Sequence, residues 1–227
     1  MKRIVAVIPA YDEASRVVSV VSEAVQYADA VVVVDDGSHD GTGRAVMEAV
    51  PSAHVVRHAV NLGKGAALKT GYEAARRLGA EIIVTLDADG QHPPHLIPKI
   101  VRHLEAGGYG IVFGSRVGGD RMPFVRLAGN RAVNAAARYG FGLDLADIWC
   151  GFRAFRADLL PRMPFSARDY SGEVQMALSA ASVGIPYGEF PIPTVYADTA
   201  KGVHIMHGVS LLGRMALWWA MRYNSIR

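Results

Sequence analysis

The run Ile82-Ile83-Val84-Thr85-Leu86 passes without a break into Asp87-Ala88-Asp89-Gly90-Gln91, and this junction decides how the chain is read. An uninterrupted apolar and β-branched run predicts a strand buried on both faces. In extended backbone, residues two apart project to the same side, so Asp87, Asp89 and Gln91 are expected to converge just past the strand end. Two carboxylates and an amide oxygen are hard ligands suited to Mg2+ or Mn2+, which complete their shell with water and phosphate oxygens. A nucleotide diphosphate fits those positions, and the metal would neutralise the charge that builds as it leaves. Asp-x-Asp triplets are common in turns; the buried strand that feeds this one sets it apart.

Working outward, similar runs occur at Ile4–Ile8, Ala30–Val34, His54–Val56 and Gly110–Phe113, separated by segments of helical length. This alternation predicts an α/β fold with a mostly parallel central sheet flanked by helices. Val17, Val20, Val21, Ala24 and Val25 share one helical face, and helices are also expected over Ala66–Leu78 and Pro94–Leu104. Beyond Phe113 the pattern changes to a Gly/Arg-rich loop from Gly114 to Arg121, then to helices over Phe124–Tyr139 and Tyr170–Val183. With no linker and no internal repeat, a nucleotide-binding half (1–113) is expected to run into an acceptor-binding half (114–206). An amphipathic, tryptophan-bearing helix follows within 207–227.

The 227 residues, 51% hydrophobic and 20% charged, suit a packed globular enzyme and exclude a disordered chain. Charge is uneven: residues 1–113 hold 11 Lys/Arg against 13 Asp/Glu, and residues 114–227 hold 13 against 8. Nineteen of the 24 basic residues are Arg, whose planar fork grips phosphate, so the expected anionic partner is phosphate and no nucleic-acid partner is expected. The single cysteine, Cys150, fits a reducing compartment. The apolar run near the amino terminus stops at Pro9, too short for a signal-peptide core, and no apolar stretch is long enough to span a bilayer. The expected location is cytoplasmic and peripheral on the inner face of a membrane. Leu211, Leu212, Met215, Trp218 and Trp219 would face lipid, with Arg214 and Arg222 reaching headgroups. The competing reading packs this helix on the core or on a second copy.

In an open parallel sheet, ligands bind beyond the carboxyl ends of the strands. Four polar loops fall there: Pro9-Ala10-Tyr11-Asp12-Glu13, Asp35-Asp36-Gly37-Ser38, Asn61-Leu62-Gly63-Lys64-Gly65 and Asp87-Ala88-Asp89-Gly90-Gln91. Asp35 and Asp36 can accept hydrogen bonds from a nucleobase while Gly37 lets the base approach the backbone; a plain turn with Asp40 capping the next helix is the alternative. The third loop loosely resembles a phosphate-binding loop without the Gly-Lys-Ser/Thr arrangement of ATP-hydrolysing enzymes. His54, His58 and His92 lack metal-ligand spacing and are read as structural, and Cys150 as a packing residue.

Taken with Val34-Asp35-Asp36-Gly37-Ser38-His39-Asp40-Gly41-Thr42 and Asp87 to Pro94, these motifs resemble in order and spacing the family 2 glycosyltransferases of GT-A fold. Gly114-Ser115-Arg116 and the stretch from Asp147 to Arg156 narrow the resemblance to polyprenyl-phosphate (dolichol-phosphate) mannosyl- and glucosyltransferases. Trp149-Cys150 stands where many relatives have Thr-Ser. The resemblance implies that Pro9, Tyr11, Glu13 and Asp36 contact the nucleoside, with Gly37, Lys64 and Ala88 completing the nucleotide-sugar contacts. It implies that Asp87, Asp89 and Gln91 hold the metal and nucleotide, and that Arg116 serves the sugar-phosphate side. The implied reaction is inverting transfer of a hexose, from a donor of GDP-mannose or UDP-glucose type, to a polyprenyl or dolichyl phosphate.

A lipid phosphate is already ionised and needs no strong base, whereas a hydroxyl acceptor in cell-envelope glycan synthesis would need a carboxylate to take its proton; Asp147 and Glu173 are the candidates. Arg121, Arg126, Arg131 and Arg138 follow the donor motifs, and Arg126, Arg131 and Arg116 are assigned to the acceptor phosphate. Lys201 and His204, in the polar stretch from Tyr196 to His207, are assigned to the same contact as parts of a closing loop. Two rivals are a nucleotidyltransferase, whose basic glycine-rich loop after the first strand is missing, and a non-catalytic nucleotide-binding adaptor, against which the intact Asp87, Asp89 and Gln91 argue.

Overall fold

Along the first strands, successive residues enter opposite cores. Val5, Val7, Val32 and Val34 join one hydrophobic cluster, while Ala6, Ile8, Val31 and Val33 join the other. Each fully buried Val or Ile contributes about 1.5–3 kcal/mol, so a sheet covered on both faces is the arrangement these runs favour. The computed structural model describes residues 2–117, 124–166, 171–193 and 211–219. In chain order the elements are β1 (Ile4–Ala10), α1 (Ala14–Ala24), β2 (Ala30–Asp35), α2 (Thr42–Ala49), β3 (His54–Arg57), α3 (Lys64–Arg77), β4 (Ile82–Thr85) and α4 (Ile97–Ala106). They continue with β5 (Ile111–Val117), α5 (Phe124–Phe141), β6 (Arg153–Arg156), α6 (Ser171–Ser182) and β7 (Tyr187–Pro193). A helix over 211–219 closes the described chain.

Among the described residues the sheet has the order β3-β2-β1-β4-β6-β5-β7. β1 runs parallel to β2 and β4, β2 to β3, and β5 to β7, whereas β6 lies antiparallel between β4 and β5. The α/β architecture with a mostly parallel sheet is therefore present. α3 lies close on β1 because residue 71 is glycine: a β-carbon there would stand 2.3 Å from Val7 Cγ1. That contact fixes the helix that begins at Lys64.

Three local expectations are corrected. Gly114 to Val117 continue β5 and pair with Phe190 to Pro193, so the glycine-rich stretch begins as strand rather than loop. β6 and β7 are strands the sequence did not announce. The helix over 211–219 turns Leu211 and Met215 into the core, with Leu212 and Trp218 packed against it. Its outward apolar residues are Leu217 and Trp219, so Leu211, Leu212, Met215 and Trp218 do not form a lipid-facing stripe. Among the described residues no helix is long and apolar enough to cross a membrane.

Candidate active site

Because β1 to β5 share one direction, their carboxyl ends open on one edge, and antiparallel β6 starts there with Arg153, opposite Thr85 and Phe113. The first two loops are sewn together. Asp12 N–H donates to Ser38 Oγ (3.0 Å) and His39 N–H to Asp12 Oδ1 (2.9 Å). Glu13 N–H donates to Thr42 Oγ1 (2.9 Å), and Asp40 accepts from Ala14 N–H and Thr42 N–H. Asp40 thus ties the starts of α1 and α2 together. Pro9 is buried in β1, Glu13 pairs with Arg16 at 3.0 Å, and the Tyr11 side chain is 40% exposed at the mouth.

Asp36 and Gly37 make contacts within the chain that their motif does not announce. Asp36 is buried and turns inward: Oδ1 accepts from Leu62 N–H (3.0 Å), Oδ2 from Gly63 N–H (2.8 Å), and His58 Nδ1 lies 2.7 Å from Oδ1. The clearance at Gly37, whose φ is +74°, is filled by the backbone of Val60 and Asn61, 2.4–2.5 Å from where a β-carbon would sit. Here glycine serves a crossing of the protein's own chain, and Asp36 anchors the loop that leads to Lys64.

Past β4, Asp87 Oδ1 lies 2.6 Å from Lys64 Nζ, and the same ammonium reaches Glu173 Oε2 at 3.0 Å. Burial alone would raise the Asp87 pKa, but Lys64 foremost, with His92 and Arg116, outweighs it and holds the carboxyl well below the usual range. Burial likewise opposes the charge on Lys64, and Asp87 and Glu173 overcome it, so the ammonium stays protonated. Asp89 behaves oppositely: burial and the charge of Asp87 push its pKa up, against the pull of a hydrogen bond from Gln91 N–H to Oδ1 (2.9 Å). Ala88, between them, is buried.

The one ammonium of Lys64 is thus shared between Asp87 and Glu173, with Asp89 two residues further along the same turn. Among the described residues no three His, Cys, Asp or Glu side chains gather into a metal-holding group. That donor set fits a divalent cation held by one or two carboxylates and completed by phosphate oxygens and water.

Asp147 grips Arg116 with both oxygens, 2.5 Å from Nε and 3.0 Å from Nη2, and accepts from Trp149 N–H. Burial disfavours the guanidinium charge, but Asp147 more than restores it. Asp147 and Glu173 thus both carry cationic partners, Arg116 and Lys64. The Cys150 thiol is buried and pushed up to about 12, first by burial and then by Asp147, which fits a packing residue.

Three side chains hold the site: Arg153, which sequence reasoning missed, and His92 and His58, which it read only as structural. Arg153, 1% exposed, donates to the carbonyls of Cys150 (3.0 Å), Ile148 (2.9 Å) and Glu173 (2.6 Å), and lies over the Phe113 ring. It staples the turn carrying Asp147 to the start of α6; an arginine inside an otherwise apolar segment was its signal. His92 Nδ1 accepts from Asp87 N–H (3.1 Å), and burial lowers the ring's pKa. His58, the third, holds Asp36. Of the acceptor-side cations, Arg131 is exposed on α5, and Arg126 lies in α5 with its side chain outside the description. Lys201 and His204 lie outside the described residues.

The profile of glycosyl transferase family 2 matches residues 5–163. A polyprenol monophosphomannose synthase of Mycolicibacterium smegmatis is 30% identical, over 92% of this chain and 83% of the relative. An undecaprenyl-phosphate mannosyltransferase of Micrococcus luteus is 34% identical, over 88% and 86%. In fold, the chain is similar to glucosyl-3-phosphoglycerate synthase of Mycobacterium tuberculosis, solved with Mg2+ and UDP, at a TM-score of 0.76 and 22% identity, covering 94% of this chain and 79% of the other. An α/β sheet of GT-A type, the four loop motifs at its edge and these likenesses agree: the chain belongs to glycosyl transferase family 2 and is a nucleotide-sugar-dependent glycosyltransferase.

Proposed function

We propose that the enzyme transfers a hexose, with inversion, from a nucleotide diphosphate sugar of GDP-mannose or UDP-glucose type to a polyprenyl phosphate. The observation that carries the acceptor is the pairing of Asp147 with Arg116 and of Glu173 with Lys64. A hydroxyl acceptor needs a free base, and both candidate carboxylates are engaged. A phosphate monoester arrives ionised. The names of the Mycolicibacterium and Micrococcus relatives point to the same acceptor class.

In this reading a phosphate oxygen of the acceptor attacks the anomeric carbon as the bond to the diphosphate breaks, and no proton has to move. Tyr11 offers its exposed ring to the nucleoside, and Lys64 and Arg116 supply fixed positive charge beside the diphosphate and the incoming phosphate. Asp147 sets the plane of the Arg116 guanidinium. Asp87, Asp89 and Gln91 would hold Mg2+ or Mn2+, which supplies Lewis-acid neutralisation of the diphosphate when bound. A peripheral position on the inner membrane face belongs to the same proposal, through the exposed Tyr139, Leu217 and Trp219 rather than the stripe now found in the core.

The test is transfer of label from GDP-mannose and UDP-glucose, with Mn2+ or Mg2+, to undecaprenyl phosphate or to a hydroxyl glycan acceptor, followed by solvent partition. Label entering the organic phase as a lipid phosphodiester is expected. Transfer to the hydroxyl acceptor alone would overturn the reading.

A further inference from the structure

His58, at the end of β3, stands between three elements. Its Nδ1 is 2.7 Å from Asp36 Oδ1 and its Nε2 is 2.9 Å from Thr70 Oγ1 on α3. A carboxylate only accepts, so Nδ1 carries the proton. Asp36, thus held, receives the amides of Leu62 and Gly63, and the next residue is Lys64, whose ammonium reaches Asp87. The chain of contacts runs from Thr70 through His58 and Asp36 into the turn that launches α3.

We propose that His58 is a positioning residue for donor binding: by orienting Asp36 it fixes the Leu62–Gly63 turn, and so places Lys64 against Asp87. The inference rests on the donor reading above and adds a residue to it. Asp36 is buried, and its carboxylate could otherwise rotate about the chain that carries it. The His58 donor on one oxygen and the two loop amides leave it a single orientation. A displacement of the turn by under an ångström is enough to draw a fixed cation away from the group it must meet.

Two substitutions separate positioning from packing. His58→Phe keeps a ring and removes both hydrogen bonds; His58→Asn puts an amide N–H near the place of Nδ1 and restores the bond to Asp36. Calorimetry with UDP and GDP in the presence of Mn2+, steady-state kinetics and melting curves are read together. The expectation is a nucleotide Kd and donor KM raised about tenfold in His58→Phe, the size of a lost hydrogen bond to a charged group. Its kcat at saturating donor should stay within about twofold of the parent, and His58→Asn should bind within about twofold of it. If His58→Phe does not fold, His58→Ala takes its place in the same comparison. Parental affinity in the Phe variant, or equal weakening in Phe and Asn, would overturn the inference while leaving the donor reading intact. A parent enzyme that binds neither nucleotide would overturn the donor reading and the inference with it.

Discussion

A β-carbon on Gly151 would lie 2.7 Å from Oδ1 and 2.9 Å from Oδ2 of Asp87. The turn before β6 is shaped around the carboxylate that Lys64 holds. Gly151→Ala has one inexpensive way to relax, rotation of Asp87 away from Lys64, because a side-chain end yields more readily than backbone. The expected result is a loss of kcat/KM of about a hundredfold with a melting temperature only a few degrees lower. Kinetics and calorimetric melting of the same preparation check it; activity near the parental level would mean that the Asp87 rotamer is not critical.

Lys64→Met takes from Asp87 and Glu173 the ammonium they share. Breaking a buried pair from one side costs about 3–5 kcal/mol, so urea unfolding should shift strongly and turnover should fall. Adding Glu173→Gln to Lys64→Met removes one of the orphaned charges. The double variant should recover much of the stability and none of the activity. Equal stability of single and double variants would rule out the Lys64–Glu173 pair as a structural contact.

The pKa values of Asp87 and Asp89 are shifted in opposite directions, down for Asp87 and up for Asp89. Asp87, lowered in the fold, stabilises it above the ordinary carboxylate value of about 3.9, and that contribution is lost as pH falls through its lowered pKa. Asp89, raised in the fold, works against folding at neutral pH when ionised, and the penalty disappears on acidification. Asp89→Asn should therefore melt a few degrees above the metal-free parent near neutral pH and converge with it in acid. The same variant, and Gln91→Ala, should lose the stabilisation that Mn2+ with nucleoside diphosphate gives the parent, as EDTA should for the parent itself. Thermal scans across pH, with and without ligand, decide both parts.

Asp147→Asn distinguishes an orienting carboxylate from a base. Gripping Arg116 with both oxygens, Asp147 should act through the guanidinium, and the amide can keep one of the two contacts. A fall in kcat of about tenfold with an unchanged pH profile is expected. A general base would be worth about 10²–10⁴, so a thousandfold loss together with disappearance of the acid limb would return Asp147 to that role.

β1, β2 and β4 were legible because Val and Ile runs covered on both faces leave little choice of conformation, β3 was legible from its short β-branched run although it lies half-exposed at the sheet edge, and the Asp87–Gln91 junction was legible because polar residues directly follow such a run. β6 was not, since Arg153 and Arg156 bracket it; Arg153 is buried only because three carbonyls and the Phe113 ring receive it. β7 holds Gly188, Glu189, Pro191 and Pro193, residues that argue against a strand but suit the edge of a sheet. Lys64 and Glu173 could each be picked out, but their meeting at one ammonium depends on α3 and α6 lying on the same face, which local pattern does not encode. The bonds that Asp36 makes to His58 and to two loop amides join segments distant in sequence and were not legible from its motif.

β6 comes late in the chain, yet it lies between β4 and β5, both laid down earlier. The part of the protein that follows residue 113 therefore supplies an interior rung of a sheet begun by the part before it. The later segment is thereby bonded into the same sheet as the earlier one on both of its edges. The ladder sets the spacing of the strand ends that carry Asp87, Arg153 and Arg116, because β4, β6 and β5 are bonded side by side.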